Sequence, residues 1–261
     1  MYLTHQQLYE LLEEKSAFYN NPDFIEKDPI SIPHLFIKKE DIEIAGFLAA
    51  TLAWGQRVTI INKSSELMSR MEHSPYDFIL NASEKETQSL SSFVHRTFQG
   101  DDCVYFIHAI QQIYLLHGGL EATFLAGYQA KQSIKESIAG FREVFFSFDH
   151  LHRTRKHVPD PQTGSAAKRI NMFLRWMIRN DGKGVDFGIW KNFKTSNLLC
   201  PLDLHSGNVA RRLGLLARKQ NDWQSVEELT AILRTFDPLD PVKYDFALFG
   251  TGVNEKILSR F

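Results

Sequence analysis

Lys168 and Asp203 are the residues of this 261-residue chain whose types and setting suit covalent chemistry. The lysine sits at the mouth of a helix, in Gly164-Ser165-Ala166-Ala167-Lys168-Arg169-Ile170-Asn171. The aspartate lies in Pro201-Leu202-Asp203-Leu204-His205, which opens a second helix. Side chains at the starts of two helices can converge on one point. A lysine amine attacks a sugar carbon and goes on to a Schiff base, and a nearby carboxylate takes a proton or faces a developing positive charge. Taken singly, a lysine in a first helical turn is ordinarily a solvated surface group, and an aspartate just before a helix is ordinarily an N-cap. One aspartate can do both jobs, because capping fixes its rotamer. The outward N–H groups of a helix start also welcome a phosphate, here at Gly164, Ser165, Ala166 and Ala167.

The elements that must position this pair read as helices almost throughout. Thr4 caps a first helix with Leu8, Leu11, Leu12 and Phe18 on its inner face. Pro29 and Pro33 make 28–34 a connector. From Asp41 to Trp54 the chain is apolar nearly all round, as in a buried central helix, and Gly55-Gln56 breaks it. The next helix runs to about Met71 with Val58, Ile61, Leu67, Met68 and Met71 inward, and Ser74-Pro75 starts a short one. Further helices are expected over 88–98, 103–116 and 133–147, then a loop over 150–165. A helix from Ala166 to Arg179 carries the stripe Ile170, Phe173, Leu174, Met177, Ile178. Others follow over 206–219, from Asp222 to Phe236, and over Tyr244–Phe249. No stretch alternates with period two. The fold class expected is all-α and two-lobed, with little or no sheet. Its parts are an N-terminal helix and connector (1–40), a helical domain around the buried helix (41–150), and the segment 151–261 carrying the hairpin and the chemistry, packed with the N-terminal helices.

Charge points to a partner. Residues 151–220 hold 14 Lys and Arg against 4 Asp and Glu, or +10, while the remainder holds 16 against 27, or −11. Such asymmetry suggests a polyanion on one face, bound with steep salt dependence; a solvated basic surface is the plainer alternative. Two cysteines, Cys103 and Cys200, make neither a disulfide framework nor a four-thiolate metal site, which fits a reducing cytoplasm. The apolar stretch 46–54 is too short to span a bilayer, so no membrane partner is expected. No His-x-x-x-His or Glu-x-x-His spacing occurs, and His150-Leu151-His152 lies beside Arg153, Arg155 and Lys156, poor company for a cation. No metal and no cofactor are expected. Nothing in the sequence speaks to oligomeric state.

The motif Gly164 to Asn171 resembles the Gly-x-Gly-x-Lys-x-x-Asn hairpin of the helix-hairpin-helix DNA glycosylases, the endonuclease-three superfamily, and Pro201 to His205 resembles its Pro-Val-Asp-x-His segment. Leu48 to Gln56, with Asn62-Lys63, is similar to the superfamily's buried helix ending in a base-stack-probing glutamine. Tyr244 to Gly250 resembles its closing helix. More closely, the whole chain resembles an uncharacterised bacterial domain-of-unknown-function family within that superfamily. The resemblance implies Lys168 as Schiff-base nucleophile and Asp203 as essential carboxylate. It implies double-stranded DNA as partner, met by Gln56, Gly164, Ser165, Ala166, Arg169, Asn171, His205 and Arg211. The chain departs from the pattern in three places. The second hairpin glycine is Ala166, where a Cβ limits positive φ. Lys168 and Asp203 are 35 positions apart, with an insertion at about Asn180 to Leu199. The four-cysteine iron–sulfur motif is missing.

The expectation is therefore a base-excision enzyme. A damaged base is flipped out and Gln56 fills the gap; the lysine–aspartate spacing is similar to that of an archaeal 8-oxoguanine glycosylase branch, and this resemblance implies an oxidised purine. Lys168 displaces the base, and β-elimination then nicks the strand. The alternatives are a helical module that binds DNA without chemistry and an unrelated helical hydrolase.

Overall fold

The structure, a computed structural model, describes residues 3–254. Among these the protein is all-α. The helices are α1 (His5–Tyr19), α2 (Lys39–Leu52), α3 (Arg57–Arg70), α4 (Pro75–Asn81), α5 (Glu84–Ser89), α6 (Gly100–Leu116), α7 (Leu120–Gln129), α8 (Ile134–Phe145), α9 (Lys168–Ile178), α10 (Leu204–Arg212), α11 (Trp223–Phe236) and α12 (Tyr244–Asn254). Extended pairing among the described residues is limited to single bridges, His95 with Phe98 and Ser165 with Asp222. The chain forms two compact units. One joins the residues up to Phe24 to those from Pro161 on, and the other is Ile25–Asp160.

The Ile25–Asp160 unit is built around α2, whose residues Ile42 to Leu52 are all buried. A phenylalanine cluster surrounds it. Phe47 meets Phe106, Phe141 and Phe145 at centroid distances of 6.0, 5.4 and 5.7 Å, and Phe124 stacks on Phe141 at 4.0 Å. This is where many of the twenty phenylalanines go: apolar surface is removed from water at about 25 cal/mol per Å². α7 and α8 close on each other through glycines; a Cβ on Gly140 would lie 3.1 Å from the Gly127 Cα. Asp102 is fully buried at the start of α6. There it caps the Gln99 amide and accepts from Arg153 (2.7 Å) and Thr154 (2.7 Å), fastening the 150–160 segment.

Several local expectations are corrected. The helix expected over 88–98 begins earlier, because Ser83 and Glu86 form a capping box. It stops at Ser89, and His95–Phe98 is a tight turn in which Arg96 has φ +56°. α7, unassigned from the sequence, starts after Gly118-Gly119 at positive φ. The 206–219 helix ends at Arg212, where Gly214 at φ +73° and the Leu215 amide on the Ala210 carbonyl close it. Phe18 and Val58, expected inward, are 67% and 71% exposed. Helical spacing says which residues share a face, but neighbours decide which face is covered.

The other unit packs α12 against α1 and α10. Two glycines let it: a Cβ on Gly250 would fall 2.3 Å from Tyr19, and one on Gly252 would fall 3.0 Å from the His205 carbonyl. α9 is buried from Ile170 to Ile178 even though Arg175 lies in that stretch and Arg179 caps its end. Arg175 bonds to Asp186 (3.2 Å) and to Asp245, and its guanidinium lies 4.3 Å over the Phe246 ring. Arg179 bonds to Asp186 (3.0 Å), Asp181 (2.8 Å) and Asp240 (2.9 Å). Burial would lower the Arg179 pKa, but these three carboxylates raise it well above the ordinary arginine range. The 180–199 insertion folds back onto α9: Phe187 and Trp190 donate to the carbonyls of Trp176 (2.8 Å) and Met177 (2.9 Å), and Trp190 packs edge-on to Phe173.

Asp186 bridges both arginines, so Asp186→Asn leaves two buried cations short of a counter-charge. A loss of about 3–5 kcal/mol in urea unfolding is expected. Gly250→Ala forces α12 off α1 and costs about 1–3 kcal/mol in the same measurement. Burial pushes the Asp245 carboxyl up to about 6, against the pull of Arg175 and Lys168. An unfolded aspartate titrates at about 3.9, so the native state holds this proton more tightly. The stability it contributes is full below about pH 4 and lost as pH rises through about 6. Measured against Asp245→Asn, the wild-type melting temperature should therefore decline across that window.

Candidate active site

The loop before Lys168 is fixed by three contacts. The Gly164 carbonyl accepts from the Trp223 amide at 2.9 Å, and Ser165 pairs with Asp222, which seats the loop on the first turn of α11. Asp222 is itself clamped by Arg218 and caps Ser225. The Ser165 hydroxyl takes the Ala167 amide at 3.3 Å. α9 begins at Lys168, later than expected, because Ala167 is left-handed (φ 45°, ψ 37°). The positive φ values in this loop fall on Gly164 (+90°) and Ala167, while Ala166 stays at negative φ and needs no glycine. Asn171 donates to the Ala166 carbonyl at 3.1 Å and is buried. Its role in the structure is to close the hairpin.

Asp203 is the N-cap of α10, and its two oxygens divide the work. Oδ1 accepts from the His205 amide (2.8 Å) and the Ser206 amide (3.0 Å), while the Ser206 hydroxyl accepts from the Asp203 amide in return. Oδ2 lies 3.7 Å from the Lys168 Nζ. Each of the two side chains keeps 23% of its surface exposed, enough for a ligand to reach them and little enough to hold them in place. The cap sets the carboxylate's direction, and the long insertion leaves the meeting of lysine and aspartate intact.

The amine has neighbours that the sequence reading did not single out as site residues. Met172, one turn on, places its sulfur 3.4 Å from Nζ, and the half-buried Phe249 ring of α12 lies 5.6 Å away. Asp245, one turn before Phe249, is the nearest link of the Arg175–Arg179 charge chain, and the charges of Lys168 and Asp203 both act on it. The sequence signal for these three was helical spacing alone: 168, 172 and 175 share one face, as do 245 and 249. Cys200 is fully buried, and burial holds its thiol well above the usual range, so it is no competing nucleophile.

The remaining expected residues scatter. His205 is exposed at the start of α10. Arg169 is half-buried, and burial pulls its guanidinium down to about 10. Arg211 spends its guanidinium on the carbonyls of Arg218 (2.8 Å) and Gln220 (3.0 Å) and on Asn221. Gln56 belongs to the other unit, where it is the exposed N-cap residue of α3 and its side chain makes no capping bond. Of the basic surplus in 151–220, Arg175 and Arg179 are buried in ion pairs and Arg218 is tied to Asp222. Lys183, Lys191, Arg212 and Lys219 stand exposed. Among the described residues no three His, Cys, Asp or Glu gather as metal ligands, and no helix is long and apolar enough to cross a membrane.

No curated protein and no solved structure matches this chain. A family model described as "Protein of unknown function (DUF2400)" matches residues 28–254, which takes in Gln56, Lys168, Asp203 and α12. The chain, all-α and carrying the lysine–aspartate pair within the matched span, belongs to that family.

Proposed function

We propose that the protein is a DNA-repair glycosylase that excises a damaged base and cleaves the resulting abasic site through Lys168. One observation carries the reading: an amine and a carboxylate, 35 positions apart in sequence, stand 3.7 Å from each other and are each partly exposed. The likeness of the two motifs to the helix-hairpin-helix glycosylases suggests what such a pair acts on, and the exposed Lys183, Lys191, Arg212 and Lys219 of the same unit suit a polyanionic substrate.

The resemblance suggests the chemistry, and the lysine–aspartate geometry is compatible with it. The free Lys168 amine attacks the sugar's anomeric carbon as the bond to the base breaks, and the departing base takes the bonding electrons and a proton. Asp203 Oδ2 faces the positive charge that grows on the sugar and accepts a proton from the attacking nitrogen. Ring opening then leaves a carbon–nitrogen double bond between sugar and Lys168. Loss of a proton from the adjacent sugar carbon expels the 3′ phosphate and nicks the strand. Phe249 and Met172 form an apolar flank that suits a flat base drawn out of the stack. Likeness of the lysine–aspartate spacing to that of an archaeal 8-oxoguanine glycosylase branch suggests an oxidised purine.

Borohydride reduction traps the carbon–nitrogen double bond as a stable cross-link. On abasic and 8-oxoguanine duplexes the wild type should cross-link, Lys168→Gln should give none, and Asp203→Asn should fall by about 10²–10⁴, the scale of a lost acid–base group. A wild type that binds duplex but never cross-links is a DNA-binding module without chemistry. Undiminished trapping in Lys168→Gln moves the nucleophile elsewhere.

A further inference from the structure

In the Ile25–Asp160 unit the junction of α2 and α3 carries a feature that packing does not explain. His95 and Phe98 exchange both backbone hydrogen bonds (2.8 and 2.9 Å), which closes a two-residue turn with Arg96 at φ +56°. Left-handed backbone costs an L-residue about 1–2 kcal/mol, and glycine or asparagine makes such a turn with less strain. The turn is held all the same. Phe93, His95 and Phe98 are buried on one side, and the His95 ring meets Trp54 edge-on at 4.9 Å. Val94 and Arg96 are thereby turned outward.

The Arg96 side chain then lies across Gly55. An ideal Cβ on Gly55 would sit 2.5 Å from Arg96 Nη1 and 3.4 Å from its Cδ, and Gly55 itself has φ +108°. Glycine is favoured there by conformation, and the exposed arginine side chain rests against it. Among the described residues Arg96 makes no hydrogen bond and no ion pair. Next in the chain stands Gln56, exposed. Arg96 thus presents an exposed guanidinium, without a protein partner among the described residues, beside the residue before Gln56.

We infer that Arg96 is a second nucleic-acid contact at this junction, a cation that takes a backbone phosphate of the duplex beside Gln56. The inference rests on the glycosylase reading for its partner. A guanidinium presents paired N–H donors that match phosphate oxygens, and the turn directs the side chain outward beside Gln56.

The test uses the full chain and a short labelled duplex with a reduced abasic analogue, with affinity measured between about 50 and 200 mM salt. Arg96→Gly removes the guanidinium and the strain together, so it should melt no lower than wild type while binding duplex several-fold more weakly. The slope of log affinity against log salt should become shallower by about 0.9, the value of one lost phosphate contact. Arg96→Asn, which also tolerates this backbone, repeats the measurement if the glycine variant proves less stable. A folded variant with wild-type affinity and slope overturns the inference while leaving the lysine chemistry standing. A wild type that ignores duplex altogether overturns both.

Discussion

Two arginines on one face of α9 are the constraint around which their unit is organised. A guanidinium inside a protein is tolerable only with counter-charges and hydrogen bonds in place. Arg175 and Arg179 draw in Asp186 and Asp181 from the insertion, Asp240 from the turn before α12, and Asp245 from α12 itself. Those carboxylates come from three separate stretches of chain. Satisfying the arginines therefore fixes the insertion and the final helix against α9. The phenylalanine-rich core of the other unit needs no such arrangement, because apolar packing is indifferent to which partner it meets.

The site stands at the far end of the same helix. Lys168 opens α9, Arg175 lies two turns on, and Asp245 and Phe249 of α12 answer them in turn. Its rigidity is thus borrowed from the buried charges below it. Asp203 reaches the lysine by a different route, as a cap whose one oxygen is committed to backbone and whose other is left for Nζ. A dual-purpose aspartate of this kind needs no extra residue to orient it, and loss of its carboxylate affects helix start and site together.

Legibility along the chain follows the range of the interaction involved. The buried helix α2, the Asp203 and Asp222 caps and the breaker at Gly55-Gln56 were plain in the sequence, since each is written in three to five adjacent residues. The turn at Arg96 and the left-handed Ala167 were not, because tertiary contacts hold those backbones against local preference; the start of α5 was written locally, in the Ser83–Glu86 capping box, and was overlooked. Phe18 and Val58 sit on the expected helices yet point outward. The charge sum over 151–220 counted two arginines as surface cations although they are buried and neutralised, and only partners distant in sequence reveal that.

By itself the sequence determined an all-helical chain, the two helix starts bearing Lys168 and Asp203, and the hairpin that leads into the first. These depend on residue type and short spacing, which a linear string contains. The tertiary structure alone decided that the amine and carboxylate lie 3.7 Å apart, that Phe249, Met172 and Asp245 attend them, and that Asn171 and Arg211 brace loops. The reason is one of separation. A contact between residues dozens of positions apart is fixed by the packing of whole helices, and no local pattern encodes the angle at which two helices meet.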